Sequence, residues 1–336
     1  MLAFGCASEA PAGSKFGVLG PPSTVKCSRY AAPSGDNGAS GTTRRPYRSA
    51  QKLVDSLRPG QTGCLEPGVY RESVTIRRGG RRGERVILTS ADRHGAVLRG
   101  TLWIPQEAEY VTISNLSLNG NDGDAPNQAS PQVNGNYVTF DNVEITNDNT
   151  GICVMIGGAA QTYGIPWHTS IVHSRIHDCG RLPPTRYEHG IYLAYSRGAR
   201  ILGNYIYDNA DWGIHLYPNA IGSRISNNII DGNGSGLIIA GGGDTASSQN
   251  YIGHNVFSNS RYGYNLTSFW GTVVGSDNAV KDNCVWNGAI GEVNGTNGGF
   301  TVSRIRRADP EYVSRETKDF RLRHGSPCAG YGPRTK

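Results

Sequence analysis

Beyond residue 90 the apolar positions come in runs of three to five, separated by Asn, Gly and Asp, with no helical spacing between runs. Four segments share one form, Ile201–Asn209, Ile225–Asn233, Ile252–Asn259 and Val280–Asn287, each with Asn at its fourth position (Asn204, Asn228, Asn255, Asn283). Those Asn lie 24, 27 and 28 residues apart. A second run opens on Gly, at Gly190–Leu193, Gly213–Leu216, Gly236–Ile239 and Gly263–Leu266, with Gly spacings of 23, 23 and 27. Two independent markers therefore keep one beat of about 25 residues.

A repeat this short cannot bury a face alone. Coiling successive repeats into stacked parallel rungs buries a column of Ile, Val and Leu, and lets aligned Asn side chains bond from rung to rung. The pattern predicts an all-β chain, a single-stranded right-handed parallel β-helix; propeller blades would need about 40–50 residues each. Strand alternation then sets the parity. The first and third residues after each Gly point inward and the second points outward.

The first part of the chain differs. Residues 46–57 place apolar side chains at helical spacing and end at Arg58-Pro59-Gly60, which predicts a short helix capping the open end of the solenoid. Residues 1–26 read as a flexible lead-in, and 27–336 as one domain whose tail, 308–336, packs on the solenoid. Tyr30–Asp36, Gly41-Thr42, the 46–57 helix and Pro59–Arg71 together resemble the N-terminal region of secreted bacterial right-handed β-helix proteins of the pectate-lyase-like superfamily. Ala308–Tyr312 and Asp319–Cys328 are similar to the usual end of such chains, so the likeness spans 28–333. It implies the fold and a secreted protein. It leaves the chemistry open, because that superfamily holds lyases, hydrolases, epimerases and non-enzymatic surface proteins. The opening Met1–Cys6 has neither the basic start nor the apolar stretch of a signal peptide.

Composition narrows the partners. Gly (46) and Pro (17) make up about 19% of 336 residues, below the roughly 25–30% of low-complexity disorder. Net charge is +6, and all but six of the 33 Lys and Arg are Arg. The guanidinium fork grips carboxylate, sulfate or phosphate bidentately, so an anionic polysaccharide is the expected partner, bound by a monomer. The basic residues form no zinc-finger, helix-turn-helix or RNA-binding motif, which argues against nucleic acid. No apolar stretch reaches 18 residues, so no membrane span is expected. Seven Cys without a CxxC pair give no support to a zinc or thioredoxin-type site and fit an oxidising compartment. If rungs stack, Cys153 and Cys179 fall on successive turns, Cys27 with Cys64 would pin the N-terminal segment, and Cys284 with Cys328 would fasten the tail. Buried free thiols are the alternative, and sequence does not fix connectivity.

In enzymes of the superfamily this chain resembles, substrate lies along the first sheet, taken here as the strand after each Gly. Counting two residues on from Gly151, Gly190, Gly213, Gly236, Gly263 and Gly291 gives Cys153, Tyr192, His215, Ile238, Asn265 and Val293 as outward. Polar groups concentrate on two consecutive rungs. Glu188, Tyr192, Asp211, His215 and Tyr217 are thus expected on one surface, with rungs about 4.8 Å apart. The plainer alternative is an outward ladder of rings with Asp211 capping a turn.

Elimination or C5-epimerisation of a uronate needs a proton-transfer pair and a group that neutralises the carboxylate. His215 and Tyr192 are the expected pair. Arg186, Arg197 or Arg261 would neutralise, and Tyr217, Trp212 and Asn265 would help bind substrate. The set resembles the His/Tyr arrangement of some alginate-active lyases and epimerases. The pectate-lyase pattern of a Lys or Arg base beside an Asp calcium cluster is poorly matched, since no Lys falls in the patch. Glycoside hydrolysis by Glu188 and Asp211 is the rival chemistry, and non-catalytic glycan binding the third reading. The sequence names no certain cofactor; Ca²⁺ is the one cation considered, at Asp122, Asp124 and Asp148 in loops leading onto this sheet. His168, His173 and His177 read as turn or ladder residues and not as a metal site. The insertions 157–167 and 180–187 read as groove walls.

Overall fold

The structure, a computed structural model, describes residues 26–121, 128–158 and 160–334. Residues 1–25 of the expected lead-in, with Cys6, lie outside it. The chain coils through three sheets of 9, 11 and 10 strands, called here the first, second and third. One turn shows the rule. Ile191–Arg197 joins the first sheet, Arg200–Leu202 the second and Tyr205–Tyr207 the third, and each pairs in parallel with its equivalent on the next turn.

Ile201–Asn209, a single run in the sequence, is therefore two strands on two sheets. The bend is made at Gly203-Asn204, and its cost is met by the Asn side chain. Asn204 is fully buried, and its amide donates to Asn228 Oδ1 (3.0 Å) and to the Ile171 carbonyl (2.9 Å). The ladder runs on from Asn228 to Asn255 (2.9 Å) and from Asn255 to Asn283 (3.0 Å). Asn209 with Asn233 (2.8 Å) and Asn250 with Asn278 (2.9 Å) repeat the device at two other corners. A buried amide is tolerated only when its hydrogen bonds are made, and here each rung satisfies its neighbour. Between the sheets, Ile191, Ile214, Leu237 and Leu266 stack as one column and Ile206, Ile230, Phe257 and Val285 as another, all buried.

The capping helix spans Ala50–Ser56, shorter than the 46–57 expected. Tyr47 is drawn into strand-like pairing instead, its N–H donating to the Tyr30 carbonyl (3.0 Å) and its carbonyl accepting from Ala32 N–H (2.8 Å). Ser49 Oγ caps the helix by accepting from Lys52 N–H (3.1 Å), and the Glu72 carboxylate accepts from the N–H groups of Ala50 (2.7 Å) and Gln51 (3.1 Å). Leu53 and Leu57 close over Gly63, where an added Cβ would lie 2.9 Å from Leu53 Cγ.

Three disulfides form, Cys27–Cys64, Cys153–Cys179 and Cys284–Cys328, with Cα separations of 5.8, 5.5 and 5.7 Å. After the last coil, the tail folds into a hairpin of Tyr312–Ser314 and Asp319–Leu322 against the outer face of the third sheet. Tyr312 and Phe320 pack there on Tyr207, Ile229 and Val256, beside the Cys284–Cys328 bridge. The solenoid's outermost strands at this end are Phe300–Ser303 and Arg306–Arg307. No helix among the described residues is long and apolar enough to cross a membrane.

Candidate active site

Strand register fixes what faces outward on the first sheet. Met155, Tyr192, His215, Ile238 and Thr267 align across successive rungs, so the expected parity holds at Tyr192, His215 and Ile238. It fails on either side. Cys153 is buried in its disulfide and Met155 takes the outward place. Asn265 is also a correction: it is fully buried, donates to the Trp286 carbonyl (2.9 Å) and accepts from Ser260 Oγ (2.7 Å), so it does not face a groove. Val293 bridges to the inward Leu266 and packs against the core. In each case the chain turns after its Gly before the strand begins, and the count slips.

On the two central rungs, Tyr192 and His215 stand side by side with ring centroids 5.2 Å apart and planes within 22°. Tyr217 continues the stack, 6.5 Å from Tyr192 and 5.5 Å from His215, and Trp212 lies 6.4 Å from His215. Behind them is a residue the sequence reading missed. His189, 2% exposed, brings its Nε2 to 2.7 Å from His215 Nδ1 with the two rings nearly perpendicular. Its own Nδ1 has no hydrogen-bond partner. The signal was present as a third ring beside Gly190, but it falls outside the positions that alternation counts.

Burial decides the protonation of all three rings. It pushes His215 down to about 3 and His189 well below its ordinary value, the latter helped by His215. One hydrogen between two neutral imidazoles thus makes the 2.7 Å contact. Burial, with Tyr217 and Tyr195 adding, pushes the Tyr192 phenol up. The pair stands at neutral pH as an uncharged imidazole beside a protonated phenol.

Glu188 and Asp211 border this patch but are buried and engaged. Glu188 accepts from Arg181 N–H and Nε, both at 2.6 Å. Asp211 accepts from Tyr262 Oη (2.7 Å) and Glu188 N–H (3.1 Å). Together they tie the loop 180–188 to the rung that carries His189. Of the arginines, Arg197 donates Nη1 to the carbonyls of Ser196 (3.0 Å) and Asn219 (2.9 Å), and Arg261 donates to the Asn209 carbonyl (2.7 Å). Arg186 is exposed on the 180–188 loop at a left-handed backbone position (φ 71°). Tyr187 beside it is 79% exposed, so the loop tip presents one cation and one ring to solvent.

The residues considered for calcium are Asp122, Asp124 and Asp148. Asp122 and Asp124 lie outside the described residues. Asp148 accepts from Asn119 Nδ2 (3.0 Å) and pairs with Arg99 (3.5 Å). Among the described residues no group of three or more His, Cys, Asp and Glu is placed to hold a metal. His173 pairs instead with Asp141 (3.0 Å), and His177 lies between Asp178 (2.8 Å) and Glu144 (3.3 Å).

Residues 102–284, more than half the chain, match the family described as the right handed beta helix region. The chain belongs to that family. No curated protein matches it significantly. Among solved structures it is similar to pectate lyase Pel9A (16% identity, 90% of this chain and 91% of that one, TM-score 0.57). It is similar also to the A-module of mannuronan C-5 epimerase AlgE4 of Azotobacter vinelandii (17%, 76% and 70%, 0.55) and to a glycoside hydrolase (9%, 81% and 89%, 0.60). At such identities the likeness is one of fold.

Proposed function

We propose that this β-helix is a polysaccharide lyase or C5-epimerase acting on an acidic, uronate-containing polysaccharide outside the cell, with His215 and Tyr192 moving the protons. The observation that carries the reading is the stack of Tyr192 and His215 on adjoining rungs, backed by a buried second imidazole. A hydrophobic residue at 189 would suit the core better than a desolvated ring with one unpaired nitrogen, so its presence points to function. With His215 donating Nδ1–H to His189, the His215 Nε2 lone pair takes the C5 proton. As the C4–O bond breaks and C4=C5 forms, Tyr192 gives its phenolic proton to the departing oxygen. In epimerisation the same phenol would return a proton to C5 from the opposite face.

Arg186 is the arginine assigned here to neutralise the uronate, because Arg197 and Arg261 are engaged with backbone carbonyls. Tyr217 and Trp212 would flank the sugar. Glu188 and Asp211 act in this scheme by holding the loop. Three disulfides and structural neighbours such as a pectate lyase and a mannuronan epimerase fit an extracellular polysaccharide enzyme.

The test is incubation with alginate, polygalacturonate and glycosaminoglycans. Ultraviolet absorbance from an unsaturated product means elimination, and an altered uronate ratio in intact polymer means epimerisation. New reducing ends without absorbance, or no change on any acidic polymer, would overturn the proposal.

A further inference from the structure

We propose that a cleft on the outer face of the third sheet, beside the C-terminal hairpin, is an accessory binding site for an uncharged, hydroxyl-rich stretch of polysaccharide. One outward column of this sheet reads Tyr207, Asp231, Ser258, Trp286 from rung to rung. The hairpin covers the first three. Phe320 packs on Tyr207 (5.1 Å), Arg315 pairs with Asp231 (2.7 Å), and Tyr312 bonds Ser258 (2.8 Å). It stops short of the fourth, so the Trp286 indole is left 40% exposed at the hairpin's edge. A cavity of about 510 Å³ results, within the roughly 300–1,000 Å³ usual for ligand pockets. A second, of about 340 Å³, shares Asn259 and Arg315 with it and carries the depression toward Arg261.

The lining has the chemistry of sugar recognition. Trp286 offers an apolar face with a polar N–H. Beside it Asn287 donates to Asn259 Oδ1 (2.8 Å) and Asn259 Nδ2 donates to buried Asp231 (2.6 Å), which leaves the Asn287 carbonyl as an acceptor and one N–H of each amide as a donor. Arg315 is fixed by Nε on buried Asp231, which leaves the rest of its fork for a ligand. The charges cancel. Arg315 is neutralised by Asp231, and Arg261 and Arg323 stand against Asp309, Glu311 and Glu316, so a polyanion gains nothing here and hydroxyl groups find both donors and acceptors. The site is separate from the Tyr192–His215 face and does not depend on what that face does.

Affinity electrophoresis in gels containing xylan, galactan or polygalacturonate tests the proposal without using turnover. The full protein should be retarded by xylan or galactan. Trp286→Ala should bind about tenfold more weakly, Trp286→Phe should keep most of the affinity, and Arg323→Gln should lose part of it. Thermal midpoints of all three variants should stay near the parent's, since both side chains are exposed. No retardation by either neutral polymer, retardation confined to polygalacturonate, or unchanged retardation of Trp286→Ala would each overturn it.

Discussion

At His215 and Tyr192 the protonation states fix what pH should do. An imidazole held at about 3 stays a free base through the neutral range, and a phenol pushed up stays an acid. Turnover should therefore be flat across neutral pH and fall only toward strong acid or strong alkali; a break between pH 6 and 7 would show that His215 titrates normally. His215→Ala and Tyr192→Phe should each cost about 10²–10⁴-fold in turnover; the thermal midpoint of Tyr192→Phe should stay near the parent's, while that of His215→Ala should fall because it leaves buried His189 unpartnered. Stability follows a separate rule. Below about pH 6.5 the unfolded chain binds protons at positions 189 and 215 that the folded one refuses, so stability should drop as pH falls from there toward 3. His177 behaves oppositely. Burial alone would lower it, but Asp178 and Glu144 outweigh burial and bring it up to about 9. Its contribution is whole below about 6.5 and disappears as pH rises through 9, and His177→Gln should remove that alkaline loss from a plot of thermal midpoint against pH.

Among the elements, the rung is the unit whose failure propagates. Asn228 donates to Asn255 and accepts from Asn204, so Asn228→Ala strands two neighbours and should cost about 1–3 kcal/mol, read from denaturant unfolding. Ile214→Asp buries an unpaired charge in the Ile191–Leu237 column and should leave little folded protein. The same elements show what a sequence reveals. Repeating Asn and Gly disclosed the coil, and alternation placed Ile214 inward and His215 outward, because a regular strand has period two. The third sheet stayed hidden, since the Gly203-Asn204 bend recurs inside each repeat and polarity alone does not tell a buried, bending Asn from one within a single strand segment. Asn265 was misplaced because its amide serves as an internal tie, a role polarity alone does not distinguish from exposure. His189 escaped notice for the converse reason: a polar ring occupies a place where packing asks for an apolar one.

Over the whole molecule, the two ends are secured differently. A helix and the Cys27–Cys64 bridge close one, while the Cys284–Cys328 bridge and the hairpin lie along the flank of the other. Breaking Cys284–Cys328 by a Cys328→Ser exchange should cost about 2–4 kcal/mol and free the hairpin to proteolysis before the coil itself opens. The flank, however, is not the rim. Phe300–Ser303 and Arg306–Arg307 are the outermost strands, and Val302 in the first of them is exposed. Arg306 and Arg307 stand exposed on that rim, while Arg304 beside them is paired with Asp282, so two copies meeting there would set the like charges of Arg306 and Arg307 against each other. Exchanging Arg306 and Arg307 for Val should remove the repulsion and let copies join end to end into filaments, visible as a slow rise in light scattering.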